Sequence, residues 1–447
     1  MEILSPGQKI RRIRKEFKIN QKEIAGGDIT RELISIIEND RSNLTPTVAH
    51  IIADNINGIC KERGIDFTLN AEYLLEDINS QTSKIASQYI DFLSMNEDNI
   101  SKDFTKDIEE IEVFLIKYDV PEKKMIIYEK IGDILRKQKN YNGSYVYYIK
   151  AFENHNRLFN DIRLFKLLQK LGNVCLWLCK YKEAMDFNNL ALVYNDTIPE
   201  DLKYKALHNN ILAHMHLKEY NKALIELEHI EKTLKNLTKI DIFELNVLRV
   251  NCLRYTKFYS DAFKLNEYML STLDDNDTEN IILITGNILD IYTVLKDTKN
   301  IRVYIDKLIY LMNNYSEVAE SSYSANAYNQ IAMSNNLINN IDLSIEYYKK
   351  SIKVAKYHKR ISIIVKSLTE LLDILIKEEI LSEINSFKNE LLELISLNIV
   401  DASIVPVFKL LDFYNDTNDK ESLSDLLKFI LDSKKEQLHN SNNPKAF

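Results

Sequence analysis

Few residues of this 447-residue chain stand at spacings that do bond-breaking chemistry. Cys175 and Cys179 lie four apart on an apolar stretch, where cysteine behaves as a small hydrophobe, so core packing is favoured over a metal pair. His214 and His216 are two apart, which on a helix directs them away from a shared ion. Glu109–Glu110 and Glu378–Glu379 read as solvated faces. The sequence holds no glycine-rich phosphate loop, no HExxH, no GxSxG and no CxxC pair. Neither an enzyme nor a cofactor or metal site is therefore expected. What stands out is charge in one place. Residues 1–22 hold Lys9, Arg11, Arg12, Arg14, Lys15, Lys18 and Lys22 against Glu2 and Glu16, a local +5 in a chain of net charge −8. Cations concentrated in this way suit phosphate contacts.

The elements that carry these residues follow from composition. Only 9 glycines and 6 prolines punctuate the chain, well below the averages of about 7% and 5%. Sheet-rich and dinucleotide-binding folds need more glycine at their turns, which leaves a nearly all-helical protein with short connections. With 45% hydrophobic and 28% charged residues it is a folded chain, long enough for several units or an extended array. Cys60, Cys175, Cys179 and Cys252 are too few for a disulfide framework. The N-terminal residues form no signal-like apolar run, and no stretch of about 18 apolar residues occurs, so a cytoplasmic protein without a membrane span is expected.

Ser5-Pro6-Gly7-Gln8 reads as a capped helix start, with serine as cap, proline at the first helical position and glutamine closing a capping box. That helix runs to about Phe17, with Ile10 and Ile13 inward. Asn20 starts a second, short helix through Ala25. The Gly26-Gly27-Asp28 turn then leads to a third helix, Thr30 to about Asn39, and Thr45-Pro46 opens a fourth through about Ile56. Two short helices joined by a glycine-containing turn have the form of a helix-turn-helix. Ile29-Thr30-Arg31-Glu32-Leu33-Ile34-Ser35-Ile36-Ile37-Glu38 follows the pattern V-S-R-x-x-I-S-x-x-E. On these residues the segment 5–66 resembles the repressor-type (Xre/Cro-like) domains.

The resemblance implies a third helix seated in the major groove with its first residues on base edges. Thr30, Arg31 and Glu32 would then read bases, with Ser35 a turn further on, and Arg31 is suited to a bidentate contact with guanine. Gln21 would touch phosphate or base, while Arg11, Arg12, Arg41 and Asn43 supply backbone contacts. The connection from Ala25 to Thr30 is one residue shorter than the family's usual turn. It also lacks the apolar residue that normally tucks beneath the two helices. So small a domain is expected to bind two half-sites as a homodimer.

The remaining chain repeats. Small or short residues at predicted helix starts recur at Ser144, Ala184, Ala223, Ala262, Val303 and Ser344, at intervals of 40, 39, 39, 41 and 41. Tyr141, Tyr181, Tyr220 and Tyr259 precede the first four by three positions. Gly132 and Gly172, on the apolar helices before two of these starts, mark close helix crossings, and Tyr148 and Ala151 fill the turns after Ser144. This resembles a tetratricopeptide array, whose consensus is about 34 residues, with longer helices or loops here. Further members are expected around Ile384 and Ser424, eight in all. The predicted fold is all-α, a helix-turn-helix domain over 1–68 and a helical linker over 69–120. A right-handed superhelical array carrying peptide binding and dimerisation follows over 121–435, then a disordered tail over 436–447.

Stacked hairpins offer a concave surface to an extended peptide. One face of the first helices selects Asn173, Trp177, Asn209, His216, Asn251, Tyr255, Tyr292, Asn326 and Asn329. An asparagine amide both donates to and accepts from a peptide backbone, and the rings offer rigid apolar area. A repressor-type head joined to repeats of about 40 residues resembles the RNPP group of peptide-responsive quorum-sensing regulators of Gram-positive bacteria. That resemblance implies three partners: an operator in double-stranded DNA, a short imported signalling peptide, and a second copy of the chain. Peptide in the groove would change how the dimer presents its heads. Alternatively the array docks a protein partner, such as a response regulator, as a scaffold or anti-activator. In a third reading the protein is a purely structural scaffold.

Overall fold

The structure, a computed structural model, describes residues 3–97, 104–155, 161–193, 198–314 and 321–442. Among the described residues every regular element is a helix. The protein is thus all-α, with a helix-turn-helix domain followed by tetratricopeptide-like helical pairs. It divides into two compact units, residues 1–217 and 218–447.

The first unit opens with α1 (Pro6–Glu16), α2 (Gln21–Ala25), α3 (Arg31–Glu38), α4 (Pro46–Glu62) and α5 (Ala71–Leu75). Ser5 with Gln8, and Asn20 with Glu23, close reciprocal capping boxes, while Thr30 and Thr45 cap α3 and α4. A Cβ at residue 7 would lie 2.0 Å from the Ile37 carbonyl oxygen, so α1 and α3 meet backbone to backbone only because Gly7 has none. The core gathers Ile10, Ile24, Ile34, Ile52 and Ile56 and continues through Cys60, Leu69 and Leu74. Continued burial at Cys60 explains why α4 runs past Ile56 to Glu62, and the same core carries the head beyond residue 68. The turn also differs from its sequence reading. Ile29 packs on this core and its N–H donates to the Ala25 carbonyl at 3.3 Å. The tucked apolar residue is therefore present, and Gly26 at φ 63° makes the shortened connection possible.

Helices α6 (Ile78–Met95) and α7 (Phe104–Lys117) follow, then α8 (Pro121–Lys137) with α9 (Tyr141–Glu153), α10 (Asp161–Trp177) with α11 (Tyr181–Val193), and α12 (Glu200–His216). α6 and α7 share one core with the first repeats, through Ala86, Leu93, Ile111, Phe114, Ile127 and Ile131. Lys123 fastens α8 to α6 by donating to the Ser83 carbonyl at 2.6 Å and the Ser87 hydroxyl at 2.7 Å.

The second unit holds α13 (Tyr220–Thr233), α14 (Lys239–Tyr255), α15 (Tyr259–Thr272), α16 (Thr278–Leu295) and α17 (Thr298–Asn314). Then come α18 (Ser322–Leu337), α19 (Ile341–Tyr357), α20 (Ile361–Lys377), α21 (Leu381–Ser396), α22 (Val405–Asp416) and α23 (Lys420–Asn442). The boundary falls inside the third predicted repeat, whose first helix closes one unit and whose second opens the other.

The register residues Ser144, Ala184, Ala223, Ala262 and Ser344 are all fully buried. Ser144 and Ser344 each donate to the carbonyl of the crossing helix, at Gly132 and Ala332, both at 2.8 Å. Added Cβ atoms at Gly132 and Gly172 would come within 2.5 Å of the Tyr148 ring and 2.2 Å of Asn188 Oδ1, the close crossings that those glycines imply. Two positions need correction. α17 begins at Thr298, so Ile301 is buried at the register position and Val303 faces solvent. In α23 it is Leu426 that is buried, while Ser424 is exposed. That helix also runs on to Asn442, so the predicted disordered tail is helical from 436 to 442, and residues 443–447 lie outside the described residues.

Candidate DNA interface and repeat surface

The first turn of α3 stands at the surface of the head. Thr30 Oγ1 accepts from the Leu33 N–H at 3.1 Å, so this hydroxyl caps the helix. Arg31 and Glu32 are exposed and Ser35 half-buried. Ile36, one turn beyond Glu32, is 42% exposed, an apolar residue on the reading face that the sequence argument passed over. Arg11, Arg12, Arg41 and Asn43 are exposed as well.

Two members of the predicted basic cluster serve the interior instead. Lys9 is 1% exposed and donates to the carbonyls of Tyr73 and Glu76 at 2.7 and 2.8 Å, closing the end of α5. Burial pushes its pKa down, against the Glu76 carboxylate, which raises it. Arg14 donates through Nε and Nη2 to the Glu38 carboxylate at 2.6 and 3.0 Å, and this bond raises its pKa. The same buried carboxylate accepts from Gln21 Nε2 at 2.9 Å. Gln21 is thus held at the start of α2 with its amide oxygen turned to other uses. The cations left at the surface are Arg11, Arg12, Lys15, Lys18 and Lys22.

The nine repeat residues fall into different environments. In the first unit Trp177 is 62% exposed and stacks on Tyr141 at 5.2 Å between centroids and 3° between planes. His216 stacks on Tyr181 at 4.7 Å and 4°. Asn173 is half-buried, whereas Asn209 is buried beside Asn210, whose amide links Asn188 and Asn189 at 3.0 and 2.8 Å. In the second unit Tyr255 stacks on Tyr220 at 4.5 Å and 8°. Asn251 accepts from Arg254 at 3.4 Å, and Arg254 also pairs with the buried Asp290. Tyr292 sits edge-on to Phe263 at 5.6 Å, and Asn326 is half-buried. Asn329 is wholly buried and donates to Ser367 Oγ at 3.0 Å and Glu370 Oε2 at 2.8 Å. It belongs to the core and not to a ligand surface; helical spacing alone could not distinguish the two. The asparagine link and the Arg254–Asp290 pair were equally invisible, because each needs residues far apart in the chain.

Cys175 is buried, which with the nearby Glu183 pushes its thiol up to about 12, while Cys179 lies outside the helix in an exposed turn. Among the described residues no cluster of His, Cys, Asp or Glu could hold a metal ion, and no helix is long and apolar enough to cross a membrane.

Residues 7–80 match a family described as a helix-turn-helix domain. No curated protein matches the sequence. Among solved structures the chain is similar to a tetratricopeptide repeat protein from Parabacteroides merdae, at 15% identity over 61% of this chain and 93% of that one, TM-score 0.46. It is similar also to the apo form of the quorum sensor NprR from B. thuringiensis, at 14% identity over 78% and 99%, TM-score 0.43. A further match is Bacillus thuringiensis PlcR in complex with the peptide PapR7 and DNA, at 15% identity over 60% and 94%, TM-score 0.30.

Proposed function

We propose that the protein is a DNA-binding transcriptional regulator whose repeats bind a short signalling peptide that alters DNA binding, a quorum-sensing device. The observation that carries the reading is the exposed first turn of α3, on a helix whose last residue, Glu38, is bonded to Arg14 of α1 and Gln21 of α2, with exposed cations on the same domain. Arg31 would read guanine, Glu32 the cytosine amino group, and Ile36 a thymine methyl. Arg11, Arg12, Arg41 and Asn43 would hold phosphates and fix the register. Two copies would span two half-sites about one helical turn apart.

In the first unit the half-buried amide of Asn173 is suited to a peptide backbone and the rings of Trp177 and His216 to apolar side chains; in the second unit the amides of Asn251 and Asn326 and the ring of Tyr255 are suited likewise. A peptide held there shifts the population of head arrangements by no more than its differential affinity for them. The test is fluorescence anisotropy on DNA upstream of the protein's own gene at two salt concentrations, with and without a short-peptide extract of the producing culture. Specific binding that the extract changes supports the reading. Binding indifferent to the extract moves the repeats toward a protein partner, and only nonspecific, steeply salt-dependent binding removes the DNA claim. Asn251→Ala should abolish the extract's effect and leave DNA affinity intact; loss of both would sink the assignment of that residue.

A further inference from the structure

In the second unit the first turn of α14, the end of α15 and the loop leading into α16 enclose a cavity of about 530 Å³. Its walls include Ile240, Ile242, Phe243 and Tyr268, and Ile240 and Tyr268 remain 71% and 60% exposed. Apolar side chains left open around a concavity gain by being covered. The loop beside them reads Asp274-Asp275-Asn276-Asp277-Thr278-Glu279, four carboxylates within six residues. Among the described residues none of the four is in an ion pair. Asp274 and Asp277 line the cavity itself, where Lys239 is the sole cation among the lining residues, and the Asp277 carboxylate accepts from Asn280 Nδ2 at 3.0 Å.

We propose that this cavity docks a basic polypeptide segment, one that inserts an apolar side chain the size of leucine or phenylalanine and carries lysine or arginine beside it. The apolar walls supply the anchor, and unpaired carboxylates on the rim select cationic neighbours and repel acidic ones. Asn246 on the lining can both donate to and accept from the backbone of such a segment. This site is separate from the residues assigned above to DNA and to the signalling peptide, and its test reads neither.

The test uses the full-length protein and a fluorescein-labelled peptide in which lysine and leucine alternate around one phenylalanine. A second peptide replaces every lysine with glutamate. The basic peptide should bind saturably and the acidic one should not. The double variant Ile240→Ser, Tyr268→Ser should weaken binding by about tenfold or more, since burying one such side chain is worth that much. Asp274→Asn with Asp275→Asn should weaken it further at low salt and flatten its salt dependence. All four side chains are exposed, so unchanged thermal unfolding verifies that the variants fold. No saturable binding, equal binding of the two peptides, or binding unaffected by either double variant overturns the proposal.

Discussion

Alanine at Gly58 and alanine at Gly132 should move stability in opposite directions, although both glycines lie inside long helices. In a helix interior alanine is favoured over glycine by about 1 kcal/mol. A Cβ at Gly58, in α4, meets nothing within 4 Å, so Gly58→Ala should stabilise the head by nearly that amount. At Gly132, in α8, the Cβ would lie 2.5 Å from two atoms of the Tyr148 ring. Tyr148 is wholly buried, and its hydroxyl donates to Asp133 Oδ1 at 2.7 Å. The ring cannot yield without disturbing that bond. Overpacking costs about 1–3 kcal/mol and a lost buried hydrogen bond about 1–3 more. Set against the helix-propensity gain, Gly132→Ala should lose about 1–5 kcal/mol. Denaturant-dependent hydrogen exchange reads the two regions separately, which a single melting temperature would not. A Gly132→Ala protein as stable as wild type would show slack in the α8–α9 crossing and refute the close-contact account of these repeats.

Arg31→Ala should cost about 1–3 kcal/mol of discrimination at one base pair, whereas Arg41→Ala should weaken all sequences alike and reduce the salt slope by about one; anisotropy on a panel of operator variants separates the two. Glu38→Gln leaves Arg14 without its counter-charge and loosens Gln21, so exchange protection of α1–α3 should fall by about 1–3 kcal/mol together with DNA affinity. Asn329→Ala should destabilise α18 and α20 by about 1–3 kcal/mol in exchange measurements, and any peptide effect should survive, because this amide faces Ser367 and Glu370. Hydrogen bonds from Lys434 and then Ser403 hold the Asp401 carboxyl down from 3.8 to about 2. Its folded value lies below its unfolded one, so its stabilising effect is present above about pH 4 and lost as pH falls through about 2. Both partners are more than a third exposed, so the effect is small. Exchange in α23 compared at pH 5 and pH 2.5 should show it in wild type and not in Asp401→Asn.

The capping signals were the most legible part of the sequence, because a cap is decided within four residues. Ser5-Pro6-Gly7-Gln8, Asn20 with Glu23, and Thr45-Pro46 all start helices where their chemistry requires. The repeat register was legible at Ser144, Ala184, Ala223, Ala262 and Ser344, and failed at Val303 and Ser424, where the chain places Ile301 and Leu426 inward and no small residue marks the crossing. Side-chain destinations were not legible. Lys9 and Arg14 look like any surface cations in sequence, and only contacts with Glu76 and Glu38, dozens of residues away, take them out of the basic patch. The scarcity of glycine correctly implied helices with short connections but did not reveal how they turn. At the sharp bends Lys139, Cys179, Lys218, Lys257, Lys296, Asn339, Glu379 and Asn418 adopt φ of 54–67°, a region that ordinary side chains enter only at a cost.

The three ring stacks share one geometry. In each, the first residue of a helix faces the last residue of the next one: Tyr141 with Trp177, Tyr181 with His216, and Tyr220 with Tyr255. Recurrence at one register position argues first for packing, since each pair staples the start of one helix to the end of its neighbour. The series ends where Tyr259 opens α15, because α16 closes on the exposed aliphatic residues Val294 and Leu295. Packing does not exclude recognition. A ring stacked on one face and more than half exposed, as Trp177 is, keeps much of its surface toward solvent. A side chain of the proposed peptide laid on such a ring would add a third layer to a pair already parallel. It gains the contact without the entropy of fixing a free ring, about 0.5–1.5 kcal/mol for each side chain so held. Rings immobilised by the fold are therefore better anchors for a short peptide than the same rings would be alone, and the residues that staple the repeats are the ones that such a peptide would use.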